Sequence, residues 1–236
     1  MLNEPPGINS SMTDIKVLST IGMRTVLEDV VPAFERTSGL TVRRVYDSSV
    51  ALLKRIDGGE TGDAAVFTAA GIDDLIRQGK VFKRTDLARS GVGVAVAKGA
   101  PKPDIGTAGA FKDALLKAKS IAHSKTGASG LYFMTLIERL GIADAVNAKA
   151  IVRDGVVAEI AARGEAELAV QQISELMQSS GVDIVGPLPA ELQSITIFSA
   201  GVFRNSPQAE AANALIADLA SPARGALIRR KGMEPV

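Results

Sequence analysis

Apolar positions run along the chain in two alternating rhythms. Ile15-Lys-Val-Leu-Ser19 is a short β-rich run, after which Val26, Leu27, Val30, Val31 and Phe34 recur at helical spacing up to Ser38-Gly39. Val42 to Tyr46 reads as the next strand. Asp47-Ser48-Ser49 then offers an N-cap to a helix carrying Val50, Leu53 and Ile56, which stops at Gly58-Gly59. Ala64-Ala-Val-Phe67 is a third strand, followed by a helix with Ile72, Leu75 and Ile76 and a stop at Gly79. Strands and helices alternating through short loops predict βαβ units on a parallel sheet.

Gly91-Val-Gly-Val-Ala-Val-Ala97 has no helical face and reads as a buried strand, broken by Lys98-Gly-Ala-Pro-Lys-Pro103. A second alternating unit begins there. Helix 108–118 leads to strand Ser120-Ile-Ala-His123, the loop Ser124 to Ser129, and a helix with Tyr132, Phe133, Leu136, Ile137 and Leu140 that stops at Gly141. Helix 156–163 ends at Gly164; Glu167–Gln171 and Val182–Val185 are strands. Ser194 to Phe203 is a second long β-rich run, and two closing helices each open with Ser-Pro, at Ser206-Pro207 and Ser221-Pro222. The two long strands bracket the second unit, as two crossings between lobes would. The expected organisation is a lead-in over 1–13, one lobe over 14–89 plus 199–236, and a second over 90–198, with a hinge and a cleft between them. Ligands of such sheets sit at the carboxyl ends of the strands, beside helix N-termini.

Composition narrows the chemistry. Lys+Arg is 27 against Asp+Glu 26, and aromatics are 4% with no Trp, so neither a general nucleic-acid binder nor a base-stacking surface is expected. With no cysteine and one histidine, His123, thiolate nucleophiles, disulfides and multi-histidine metal sites are excluded, and no metal or cofactor is expected. Gly91-x-Gly93 lacks the third glycine of a dinucleotide loop, and there is no phosphate-binding loop, His-Glu-x-x-His or Gly-x-Ser-x-Gly. No apolar run is long enough to insert in a membrane. The N-terminus lacks a secretory pattern, so the sequence as it stands reads as cytoplasmic; a preceding leader would make it periplasmic.

Four strand-to-helix junctions concentrate small and hydroxyl residues: Ser19-Thr20-Ile21-Gly22, Asp47-Ser48-Ser49, Lys125-Thr126-Gly127-Ala128-Ser129-Gly130 and Asp154-Gly155-Val156-Val157. N–H groups at a helix start have no internal acceptor and lie at the positive end of the dipole. Taken singly, each junction reads as ordinary capping. Facing one cleft together, they would hold an anion with neutral donors.

The order of Ser19-Thr20, Ser48-Ser49, Gly62-Asp63-Ala-Ala-Val-Phe67, Gly164-Glu-Ala-Glu-Leu-Ala169 and the closing Gly232-Met-Glu resembles the molybdate-type periplasmic solute-binding proteins over roughly residues 14–236. The resemblance implies an α/β, two-lobed type 2 periplasmic-binding-protein fold that closes around a small anion, with an ABC transporter membrane component as partner. It assigns the ligand serines to Ser19, with Thr20 beside it, and to Ser48 or Ser49. It assigns backbone contacts to the segment around Thr126, Ala128 and Ser129 and to Val156 or Val157. Gln172 stands where the family has a tyrosine, and Lys125–Gly130 replaces a proline-containing loop; both departures make an organic carboxylate as plausible as a tetrahedral oxyanion.

The same resemblance reaches aconitate isomerases, which move a proton and a double bond within a tricarboxylate. Such chemistry needs a carboxylate cradle and a general base near carbon. The candidates for the base are Lys125, Asp47, His123 and Tyr46; Arg24, Arg43 and Lys125 are candidates to hold carboxylates. Each has a plain alternative: His123 can pack at a strand end, Asp47 can cap a helix, and Arg43 and Arg44 alternate on a strand, so at most one faces any given side.

Overall fold

The computed structural model describes residues 14–236; the lead-in expected over 1–13 lies outside the described residues. The first third alternates as its sequence pattern predicts. β1 (Asp14–Thr20) is followed by a 3₁₀ turn and α1 (Arg24–Ser38), β2 (Thr41–Asp47) by α2 (Ser49–Asp57), and β3 (Ala64–Thr68) by α3 (Ala69–Arg77). β1 lies parallel to both β2 and β3. α1 stops at Gly39, whose φ of 71° lets its N–H turn back to the Glu35 carbonyl at 2.9 Å.

β4 (Thr85–Ala97) is the long crossing strand. It leads to α4 (Ala108–Lys117), β5 (Ile121–Ser124), α5 (Ala128–Arg139), α6 (Ala143–Asn147), β6 (Ala150–Arg153), α7 (Ala158–Ala162), β7 (Leu168–Gln172), α8 (Ile173–Leu176) and β8 (Val182–Pro187). β9 (Ile195–Val202) then returns to the first half, before α9 (Ala209–Leu219), α10 (Gly225–Arg230) and the short β10 (Glu234–Pro235). The strand order is β2-β1-β3-β9-β4-β7-β5-β6. β4 joins the halves. Its Thr85–Gly91 portion pairs antiparallel with β9, and from Val92 onward it pairs with β7 and β8. In the second half, β5 lies parallel to β6 and β7.

Each half buries its own core on both faces of its sheet. Ile15 and Val17 pack with Val26, Val30, Val31 and Phe34 of α1 and Leu215 of α9, while Leu18 and Phe67 pack on the other face with Leu52, Ile72 and Leu75. In the second half, Val92 and Val94 meet Phe111, Leu115, Phe133 and Ile137, whereas Ala95, Ala122 and Ala169 admit the short α7 through Ala158 and Ala161. Small side chains on both partners let backbones approach where a five-residue helix brings little surface of its own.

The structure corrects several sequence expectations. α2 buries Leu52 and Ile56, while Val50 is 48% exposed: the helix begins at Ser49, and its inward stripe is set by the i, i+4 pair. The helix expected over 156–163 is only Ala158–Ala162. Ser206-Pro207 does not open α9 directly. Ser206 Oγ instead donates to buried Asp63 Oδ1 at 2.6 Å and accepts the Gln208 N–H at 3.0 Å, and the helix starts at Ala209. Ser221 does cap as expected, with Pro222 opening a 3₁₀ turn ahead of α10. α6, β6, α8 and β10 are additions to the sequence reading.

Candidate functional site

The carboxyl ends of β1, β2, β3, β5, β6 and β7 meet at one small cavity between the two halves. Its wall comprises Thr20, Ile21, Ser48, Ser49 and Thr68 from the first half, Phe198 on β9, and Ser124, Gly127, Ala128, Gly155, Gln172 and Glu175 from the second. Its volume is about 20 Å³, room for about one water. A larger hollow of about 420 Å³ is lined by Lys16, Glu60 and Asp63, but these already pair among themselves and with Ser206, away from the strand ends that carry the junctions.

Hydroxyls and helix starts dominate the wall. Ser48 caps α2, its Oγ accepting the Ala51 N–H at 3.1 Å; Thr68 caps α3 through Gly71 N–H at 3.2 Å; and Ser124 Oγ accepts the Gly127 N–H at 2.8 Å at the entry to α5. Thr20 makes no capping bond. The first-turn N–H groups of α2 and α5 have no intrahelical acceptor, so both helices bring positive ends toward the cavity. No Lys, Arg or His is among these wall residues.

A hydroxyl chain spans the cavity, beside the Gln178 amide that donates to the Ile21 carbonyl at 2.8 Å. Thr126 Oγ1 lies 2.9 Å from Ser48 Oγ and 2.7 Å from Asp154 Oδ1. Thr126 has one proton and an ionised carboxylate only accepts, so the chain runs Ser48 to Thr126 to Asp154, each hydroxyl donating onward. The two halves are thereby fastened across the cleft.

The remaining expected residues divide sharply. Thr20, Ser48, Ser49, Ala128 and Gln172 line the cavity and Thr126 bridges it. Ser19 is buried behind the wall, its hydroxyl turned to the Thr20 carbonyl at 3.1 Å. Ser129 is buried with its hydroxyl unpartnered, and it too lies outside the wall. At the β6–α7 junction the Val157 N–H is taken by Gln171 Oε1 at 2.9 Å and the Gln171 amide donates to the Gly155 carbonyl at 2.8 Å, so Gly155, not Val156 or Val157, faces the cavity. The Gln172 amide is engaged with the crossing strands: with its nitrogen toward the Ser90 and Gly91 carbonyls at 2.9 and 3.0 Å, its oxygen accepts from Thr196 at 2.6 Å.

The expected bases are elsewhere. His123 is 1% exposed, stacked obliquely on Phe133 with ring centroids 5.2 Å apart, and its Nδ1 lies 3.1 Å from the Ser124 carbonyl; burial holds its pKa below the ordinary value. Asp47 accepts the Ser48 N–H at 2.8 Å and faces Arg55 at 3.7 Å, a turn-fixing role. Tyr46 donates to Glu28 at 2.8 Å beneath Arg24, and its phenol is pushed above its usual pKa first by burial and then by that bond. Lys125, Arg24 and Arg43 are exposed and outside the wall.

Glu175, like Thr68 and Phe198, is a wall residue that sequence reasoning missed. It sits on α8, one short turn beyond β7, 7% exposed, with Oε2 lacking a hydrogen-bond partner. Burial raises its pKa to about 7, partly offset by the Gln171 side chain and the Gln172 backbone.

Comparison with known proteins identifies the family and the fold. Residues 15–234 match the family described as bacterial extracellular solute-binding protein. The chain is 36% identical over 234 residues to an aconitate isomerase from a Pseudomonas species, spanning 95% of this chain and 89% of that one. The periplasmic molybdate-binding protein of Azotobacter vinelandii shares the fold with a TM-score of 0.78 at 19% identity, covering 93% of this chain and 98% of the other. The sulfate-binding protein SubI of Mycobacterium tuberculosis does so with a TM-score of 0.74 at 18% identity, covering 95% and 87%. Among the described residues no helix is long and apolar enough to cross a membrane. The chain therefore belongs to the bacterial extracellular solute-binding protein family and carries its two-lobed type 2 periplasmic-binding fold, with a hinge and an interlobe cleft.

Proposed function

We propose that this protein binds a small anion, an oxyanion or an organic carboxylate, in the interlobe cleft through helix N-termini and hydroxyls. The observation that carries the reading is the convergence of six strand ends, three from each half, on one cavity whose donors are neutral. Neutral donors at helix starts suit an anion because the dipoles supply positive potential without mobile cations. The lobes of this reading are 14–89 plus 199–236 and 90–198, hinged where β4 and β9 cross. The name of the family supports action outside the cytoplasm, where an ABC transporter membrane component would receive the guest. Thermal shift with molybdate, tungstate, sulfate, citrate and the two aconitate isomers tests it: a guest at 100 times its Kd adds about 2.7 kcal/mol. No shift with any of them would remove the anion reading.

The relative at 36% identity favours a second reading, isomerisation of an unsaturated tricarboxylate in the same cleft. Incubation with cis-aconitate separates the two. Formation of the trans isomer in proportion to protein selects the isomerase, and a thermal shift without product selects the receptor.

A further inference from the structure

We propose that Glu175 is the acid–base group of an isomerisation in this cleft, its carboxylate taking a proton from the methylene carbon of an unsaturated tricarboxylate and returning it to the far carbon of the double bond. The proposal rests on the isomerase reading and adds the residue that performs it. The step balances without a co-reactant. The electron pair of the broken C–H bond becomes the new C=C bond, the pair of the old double bond forms the new C–H bond, and the carboxylate ends as it began.

Three observations converge on this side chain. Glu175 is the one titratable residue in the cavity wall, which is otherwise Thr, Ser, Gly, Ala, Gln, Ile and Phe. Its Oε2 is buried and unpartnered, and, unlike the buried unpartnered atoms of His123, Ser129 and Ser174, it belongs to a residue of the cavity wall, so it has bonding capacity left for a group on the guest. It shares that wall with Thr20, Ser48 and Ser49, so carboxylates held by those hydroxyls and helix starts would keep the carbon skeleton of the same molecule beside Glu175.

Burial also makes the carboxylate a stronger base than one in water, consistent with its raised pKa near 7. α8 packs against β4, β7, β8 and the 3₁₀ turn after β1. The charged groups on those elements are Asp86, Arg89 and Asp183. The C-terminal turn at Gly232 adds Lys231 and Glu234, which pair with Asp29 and Arg89. Burial is the largest cause of the Glu175 shift, ahead of its hydrogen bonds to Gln171 and Gln172.

Glu175→Gln is close in shape to the protonated acid and removes the base. With cis-aconitate as probe, the variant should keep a cooperative melt and a ligand-induced thermal shift while turnover falls about 100-fold or more. Wild-type kcat/KM should rise with pH through a limb near neutrality that the variant's residual activity lacks. Turnover in Glu175→Gln within a few-fold of wild type overturns the assignment while leaving the isomerase reading intact. Wild-type protein that binds cis-aconitate without product overturns the isomerase reading and the assignment with it. Should the variant melt non-cooperatively, a wild-type kcat/KM that is flat between about pH 5.5 and 8.5 overturns the assignment.

Discussion

A carboxyl group shut away from water makes the folded state sensitive to pH. Glu175 stands at about 7 in the fold against 4.5 for an ordinary glutamate, so between those values the folded chain holds more protons than the unfolded one. Its share of stability is fully present below about pH 4.5 and is lost as the pH rises through about 7, at most about 3 kcal/mol. His123 works the other way: burial lowers its pKa in the fold, so the unfolded chain binds the proton more readily and its share is lost as the pH falls below its ordinary 6.5. Melts of wild type and Glu175→Gln across this range should therefore converge in acid and separate toward pH 8, with the variant more stable there; parallel curves would contradict the burial argument. The hydroxyls at Thr20, Ser48 and Ser49 were readable from sequence because they sit where strands end and helices begin. Glu175 was not, because Ser174-Glu175 lies beyond the strand predicted over Glu167–Gln171 with no apolar spacing to mark a helix, and glutamate is seldom buried without a partner.

The elements around the cavity are held by close approaches that sequence pattern does not disclose. Gly130, in the first turn of α5, lies so near β5 that a Cβ there would come 1.9 Å from the Ser124 carbonyl oxygen and 2.6 Å from its carbon. Those are backbone atoms and cannot rotate aside, so Gly130→Ala must shift the helix start that faces the cleft. A loss of about 3 kcal/mol is expected, a fall in Tm of roughly 6–12 °C, and with it weakened anion binding. An unchanged Tm would mean that the junction is looser than this packing requires. Long elements were legible because their apolar spacing repeats over several turns: α1 and α5 bury the faces predicted, Val26 to Phe34 and Phe133 to Ile137. α6, α7 and α8 span five, five and four residues, about one turn each, where periodicity has nothing to repeat. That brevity moved the cavity contact from Val156 and Val157 to Gly155 and hid the turn that carries Glu175.

At the scale of the whole chain, the two long β-rich runs signalled two crossings, and β4 and β9 make them, with Gln193 bound to the Val92 backbone at 2.8 and 3.0 Å where the path returns. Sequence could not show how far the cleft stands open, because closure depends on contacts between residues 78 positions apart. A space of about 20 Å³ is too small for an oxyanion or a tricarboxylate, so any such guest requires the halves to separate and close again. The Thr126–Ser48 contact opposes that separation. Thr126→Val keeps the side-chain shape and removes the hydroxyl, leaving Ser48 its cap on α2 and Asp154 exposed to water. One hydrogen bond worth about 1 kcal/mol changes the open-to-closed ratio about fivefold. The variant should thus show a larger radius of gyration by small-angle scattering in the absence of guest and faster guest association. Its Tm should change little, because each half retains its own core. A scattering radius and association rate equal to wild type would show that closure is governed by the crossing strands together with the Gln178 amide, which donates to the Ile21 carbonyl at 2.8 Å between the same halves, with the Thr126 contact following closure rather than holding it.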